Sequence, residues 1–193
     1  MSHERSPAQL ESHFAMVARY GAHGDSQTRS LTTLLHIGDE QAAVLSGQGD
    51  RPDHMQQIGL GAVRIARDYF HHDPPTSHEI ELAIDFVEDE IMRLGKPLEH
   101  TTTLWSTSTA LRAWSALAGP TLAIETVEQW FQRLVSASRG QPAAIQGLPP
   151  GRDAAATLLV LREFMHHQGH ISIAVEPPGA VAGVISTRGC ERN

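Results

Sequence analysis

Cysteine is almost absent. The single Cys190 stands fourth from the end, which excludes an internal disulfide framework and a multi-cysteine metal site. Positive charge is also in deficit: 15 Lys and Arg against 22 Asp and Glu leave a formal net charge of −7. Such a balance carries no electrostatic footprint for nucleic acid or for an anionic membrane. No apolar run reaches the ~18 residues that a membrane helix needs. The opening Met1-Ser2-His3-Glu4-Arg5-Ser6-Pro7 has no apolar segment of the signal-peptide kind. A cytoplasmic chain with no nucleic-acid and no membrane partner is therefore expected. What remains is ordinary for a globular protein: 193 residues, 40% apolar and 19% charged, enough for one domain with its own core.

Along the chain the expected elements alternate in type. Leu10, Phe14 and Val17 recur at helical spacing within residues 8–20, followed by a polar loop to Ser30. Three short strands are predicted over 31–37, 42–46 and 54–60, separated by Gly38-Asp39 and by residues 47–53. Residues 61–70 return to helical spacing. Pro74-Pro75 then punctuates the chain, and Thr76 or Ser77 is placed to cap a helix whose stripe is Ile80, Ala83, Ile84, Val87, Ile91 and Leu94. Gly95 and Pro97 stop it. A strand over 100–106, helices over 108–117 and 125–136, a loop over 141–151, a long apolar helix over 153–166, a strand over 171–175 and a short helix over 178–185 complete the pattern. Three strands followed by helices alternating with single strands predict an α/β domain with a mixed sheet. Residues 1–30 form a helix and loop ahead of the domain at 31–186, with 187–193 as a tail.

The succession Leu34-Leu35-His36-Ile37-Gly38-Asp39-Glu40-Gln41, then Ile58-Gly59-Leu60-Gly61-Ala62-Val63-Arg64, then His71-His72-Asp73-Pro74-Pro75-Thr76 resembles the second, actin-like half of the exopolyphosphatase and guanosine pentaphosphate phosphatase (Ppx/GppA) family. Weaker echoes lie at Glu11 to Val17, at Trp105-Ser106-Thr107-Ser108-Thr109-Ala110-Leu111, at Pro150-Gly151-Arg152 and from Val175 to Gly183. The resemblance implies an actin-like, ribonuclease-H-type fold with helices on both faces of the sheet. It also implies hydrolysis of phosphoanhydride bonds, with Mg2+ as the cofactor if that activity persists and none otherwise. In the family a first actin-like half with its own phosphate loop supplies the other wall of the active-site cleft. The resemblance here covers the second half alone, so one wall is expected to be missing.

The residues that carry the family's chemistry are largely replaced. A phosphate loop uses consecutive glycines so that backbone N–H groups can approach anionic oxygens. Here His36 stands at the position of the metal-holding aspartate. Gly38 is followed by Asp39 and Glu40 instead of glycines, and Gln41 and Ala42 replace the hydroxyl residues. Two carboxylates facing a polyphosphate repel it by ~1 kcal/mol per close pair even in water. Gly38-Asp39 reads more simply as a tight hairpin turn. In the second loop, Trp105 and Ser108 occupy the family's glycine positions. Ser106, Thr107, Ser108 and Thr109 are either anion donors at a helix N-terminus or ordinary caps, and capping is favoured. The resemblance places Glu11 near the family's water-orienting glutamate, although a helix-flank Glu is commonly just solvated. Arg152 at a helix start is an anion partner or a surface residue. The candidate phosphate-binding set is thus Gly38, Ser106, Thr107, Thr109 and Arg152, with Glu11 as the candidate catalytic acid.

Twelve histidines invite a metal reading. Adjacent histidines on a helix point about 100° apart, so neither His71-His72 nor His166-His167 chelates one ion alone, and no metal site is expected. A degenerate, non-catalytic binding or regulatory module is the favoured function, with an active phosphohydrolase on polyphosphate or guanosine pentaphosphate as the alternative. Its expected partners are a polyphosphate or nucleotide anion and a second protein, either a copy of itself or a heterologous chain. The apolar stripes of the first helix (Leu10, Phe14, Val17) and of the 153–166 helix (Leu158 to Leu161, Met165) are the candidate contact faces. The competing possibility is that both helices fold back onto the sheet.

Overall fold

The computed structural model describes residues 4–21, 31–95 and 103–175. The expected helix over 178–185, the closing motif beyond Val175, the tail, and the start of the strand expected from His100 lie outside these residues. In chain order the elements are α1 (Pro7–Gly21), β1 (Leu31–Ile37), β2 (Ala42–Gln48), β3 (His54–Ile58), α2 (Ala62–Tyr69), α3 (Ser77–Met92), β4 (Thr103–Ser106), α4 (Thr109–Ala118), β5 (Thr121–Ala123), α5 (Ile124–Ser138), a 3-10 turn (Pro142–Ile145), α6 (Arg152–Gln168) and β6 (Ser172–Val175).

The six strands form one sheet in the order β3-β2-β1-β4-β6-β5. β1 to β3 are antiparallel neighbours, β4 runs parallel to β1 and β6 parallel to β4. This is the mixed α/β sheet expected from the element order, with one addition. The edge strand β5 pairs antiparallel with β6, Leu122 opposite Ile173. At three residues it is too short to show alternation, and Gly119-Pro120 before it reads as a turn.

β1 is buried on both faces, and it carries Thr32, Thr33 and His36 into the interior along with its leucines and Ile37. Leu35 and Ile37 join Val44, Leu104, Ile173 and the helices α2 to α6 in the larger core. Leu34, Ala43 and Leu45 on the opposite face meet Leu10, Phe14 and Val17 of α1. Helices therefore cover both faces, unequally. α6 packs among α2, α3, α4 and α5, so four successive residues, Leu158 to Leu161, are all buried. Both stripes proposed as contact faces are thus interior. Phe14 and Leu161 are 0% exposed, and the fold-back possibility is the one the structure adopts. Among the described residues no helix is long and apolar enough to cross a membrane.

The turn before α3 explains the His-His-Asp-Pro-Pro-Thr segment without a ligand. Thr76 and Glu79 form a reciprocal capping box: the Glu79 N–H donates to Thr76 Oγ1 at 3.3 Å and the Thr76 N–H to Glu79 Oε2 at 2.7 Å. Glu79 Oε1 accepts from the His71 N–H at 2.9 Å and from His72 Nδ1 at 2.8 Å. Burial alone would raise the Glu79 carboxyl, but these donors outweigh it and hold it at about 2.

Candidate anion-binding loops

Two loops meet at the C-terminal ends of β1 and β4. The first, 38–41, closes the β1–β2 hairpin, with the Gly38 N–H donating to the Gln41 carbonyl at 2.9 Å. It rests on the start of α2: Ala62 N–H donates to the Gly38 carbonyl and Arg64 N–H to that of Asp39, both at 3.0 Å. Gly61 makes this seat possible, since a Cβ there would lie 2.2 Å from the Asp39 carbonyl oxygen. Two of the amides at the N-terminus of α2, the usual lure for an anion, are thereby already used.

The amides of the loop itself point elsewhere. Glu40 N–H and Gln41 N–H converge on one oxygen, Oε1 of Glu4, at 2.6 and 3.1 Å. A side chain at Gly38 would come within 3.0 Å of the same oxygen, so that glycine leaves room for the carboxylate. The turn reading of Gly38-Asp39 is correct, and the turn also makes a small anion nest without the glycines that usually mark one. Its resident anion comes from this chain. Glu40 leans away and pairs with Arg67 at 2.8 Å, so the negative charge expected to face the loop is partly neutralised.

The second loop follows β4. Ser106 Oγ donates to the Leu35 carbonyl at 2.7 Å and Ser108 Oγ to that of Ile37 at 2.6 Å. Ser108 is the N-cap residue of α4, yet its hydroxyl makes no cap bond. The favoured capping role is therefore not what these hydroxyls do. They fasten β4 to β1, which is equally incompatible with presenting them to a ligand. Thr107 is buried, with Oγ1 3.5 Å from Nδ1 of the buried His36. Thr109 opens α4 and is half-buried. Trp105 packs on the α1 side of the sheet, against the cluster that holds Leu34 and Phe14.

Residues 4–5 bridge the two loops. While Glu4 takes the first loop's amides, Arg5 Nη2 donates to the Thr107 carbonyl at 3.1 Å. Arg5 Nη1 also contacts His13 Nε2, whose Nδ1 faces the Gln9 carbonyl one turn earlier in α1. Ser6 and Gln9 cap α1 reciprocally, at 2.9 and 3.4 Å, and fix where the chain enters the helix.

The structure thus gathers Gly38, Ser106, Thr107 and Thr109 at one end of the sheet but not the other two candidates. Glu11 is exposed on α1, and Glu4 is the carboxylate at the loop. A signal for Glu4 exists in the sequence: Ser6-Pro7-Ala8-Gln9 is an N-cap, an N1 proline and an N3 amide, which puts Glu4 just ahead of a helix start. Arg152 donates from Nη1 to the Phe70 carbonyl at 2.8 Å and ties the end of α2 to the start of α6. The length of α2, about 12 Å at 1.5 Å per residue, separates it from the loops.

The profile of the Ppx/GppA phosphatase family matches residues 43–187. Solved structures with the same fold include the type II variant of the Ppx/GppA phosphatase of Aquifex aeolicus, at 17% identity and a TM-score of 0.69, covering 94% of this chain and 63% of that one. An exopolyphosphatase from Cytophaga hutchinsonii matches at 13% identity and a TM-score of 0.60, over 86% of this chain and 59% of that one. The chain spans about three fifths of the length of these relatives. No curated protein matches. Family profile and shared fold agree, and the chain belongs to the Ppx/GppA phosphatase family.

Proposed function

We propose that this chain is a degenerate Ppx/GppA domain that acts as a non-catalytic binding or regulatory module. The observation that carries the reading is that donors in both loops are already satisfied within the chain. Glu40 N–H and Gln41 N–H hold Glu4, and the hydroxyls of Ser106 and Ser108 hold carbonyls of β1. Catalysis of phosphoryl transfer depends on donors preorganised toward developing charge, and losing one typically costs two to three orders of magnitude in rate. The ligand of such a module is a polyphosphate or nucleotide anion able to displace Glu4. A second protein, either another copy or a heterologous chain, is the other expected partner.

The alternative of an active phosphohydrolase has one observation in its favour. Glu4 puts an exposed carboxylate against the loop amides, and a carboxylate beside an anion site can orient a water. The test is release of phosphate from polyphosphate, guanosine pentaphosphate and nucleoside triphosphates with Mg2+ present. No release above background is expected. Steady turnover that vanishes in Glu4→Gln would overturn the non-catalytic reading. Light scattering that finds a monomer across the micromolar range, with no co-purifying protein, would remove the protein partner.

A further inference from the structure

A second cluster of ionisable groups lies away from the loops, where α6 crosses α3 and α5. Arg162, Glu163, His166 and His167 project from α6, Glu88 from α3 and Glu128 from α5. The two histidines diverge as adjacent helical residues must: His166 Nε2 contacts Glu128 Oε1, whereas His167 Nε2 faces Glu88 and Glu163.

We propose that Glu88, Glu163 and His167 bind one first-row divalent cation of the zinc class, joining α3 to α6. One ligating atom from each residue lies within 4.8 Å of the other two. His167 Nε2 is 3.7 Å from Glu88 Oε1 and 3.8 Å from Glu163 Oε2. A cation about 2.1 Å from each ligand, with trigonal to tetrahedral angles, needs ligand separations of about 3.4–3.6 Å. These two separations are within a few tenths of an ångström of that requirement. Glu163 and His167 are spaced i, i+4, so one face of α6 supplies two ligands, and α3 supplies the third.

Glu163 gives the independent reason to expect a cation. The residue is 2% exposed. Its Oε1 contacts Arg162 Nη1, and its Oε2 faces the His167 nitrogen at 3.8 Å. Arg162 is shared, since its Nε donates to Glu128 Oε1 at 2.8 Å and its guanidinium lies over Phe131.

The donor set narrows the ion. An imidazole with two carboxylates suits zinc and its first-row neighbours better than Mg2+ or Ca2+, which prefer oxygen throughout. Three protein ligands leave a fourth position for water. Arg162 on the other oxygen of Glu163 then orients that ligand from outside, as outer-shell partners do. The competing arrangement is a protonated His167 bridging both carboxylates with no metal.

The test uses the full chain, freed of metal by chelation and titrated with Zn2+ by calorimetry and with Co2+ by its visible ligand-field bands. One equivalent should bind, and zinc should raise the Tm. Glu88→Gln and His167→Ala, both at half-buried positions the fold tolerates, should each lose at least about tenfold in affinity, together with the Tm gain. His54→Ala, an exposed histidine on β3, controls for adventitious binding and should change neither. No uptake by the parent chain, or equal uptake in Glu88→Gln and His167→Ala, overturns the site and leaves the bridging imidazolium.

Discussion

Replacing Gly61 with alanine tests the seat of the first loop. The backbone there, φ −82° and ψ 143°, is one that any residue adopts, so the cost is spatial and not conformational. The new Cβ would lie 2.2 Å from the Asp39 carbonyl oxygen, 2.2 Å from the Glu40 carbonyl carbon and 2.4 Å from that of Asp39. Non-bonded carbon contacts settle at about 3.5–4.0 Å, so loop and helix must part by about 1 Å. All three neighbours are backbone atoms, and no rotamer change relieves them. Parting them strains the bonds from Ala62 N–H to Gly38 and from Arg64 N–H to Asp39. Overpacking at about 1–3 kcal/mol and two hydrogen bonds at about 1 kcal/mol each put the loss at about 3–5 kcal/mol, roughly two to four orders of magnitude in the folding constant. Gly59→Ala is the matched control. Its Cβ would meet Arg64 Nη1 at 2.3 Å, the far end of a flexible side chain whose swing gives up only a 3.7 Å pair with Asp68 and a contact over Phe86, so about 1 kcal/mol is expected. Urea denaturation of the three proteins measures the difference. In a 15N spectrum the Glu40 and Gln41 amides should shift in Gly61→Ala and stay in place in Gly59→Ala. Equal stabilities for the two variants would refute the claim that the loop is wedged against α2.

Three further outcomes follow from the packing and the polar network. Phe14→Ala should cost about 3–5 kcal/mol in denaturant unfolding, because the ring is wholly buried beneath α1; a change in assembly with full stability would contradict that. Glu79 is held at about 2 against 4.5 for an ordinary glutamate, so its contribution is complete above that higher value and drains away as pH falls toward the lower one. Glu79→Gln should therefore flatten the stability–pH curve within that acid window, and an unchanged slope would refute the assignment. Ser108→Ala should cost about 1–3 kcal/mol by leaving the Ile37 carbonyl without its donor, and a neutral result would deny the hydroxyl its role in joining β4 to β1.

The elements most legible in the sequence were those whose pattern and punctuation agree. β1 was bounded at Leu31 and Ile37 because a segment of Leu, Thr and Ile ends in the turn dipeptide Gly38-Asp39, and α3 was announced by Thr76, Glu79 and a regular stripe. α1 and α6 were legible as helices but not as core. Periodicity shows that a helix has an apolar face and says nothing about what lies against it. The consecutive apolar residues of α6 look like surplus until α2, α3, α4 and α5 surround them. β5 was invisible because its three residues owe their extended form to β6, a partner some fifty positions later.

The candidate site failed differently, and the failure bears on the chemistry. Reading a phosphate loop from glycines treats the letters as the donors, but the donors at 38–41 are backbone amides, which every residue except proline possesses. Asp39 and Glu40 were counted as repulsive charges. One of them is turned onto Arg67, and the amide of that same Glu40 is one of the two donors that hold Glu4. What a phosphate would meet is therefore not a bare acidic turn but an occupied one. The obstacle is a carboxylate that can leave, because Glu4 is exposed and, among the described residues, held by two backbone N–H donors. Removing that charge in Glu4→Ala should strengthen binding of inorganic phosphate at the Glu40 and Gln41 amides, read residue by residue from their 15N–1H shifts. If the turn were merely a hairpin closure, phosphate would move neither amide in either protein. The loop would then have kept its shape and lost its ligand.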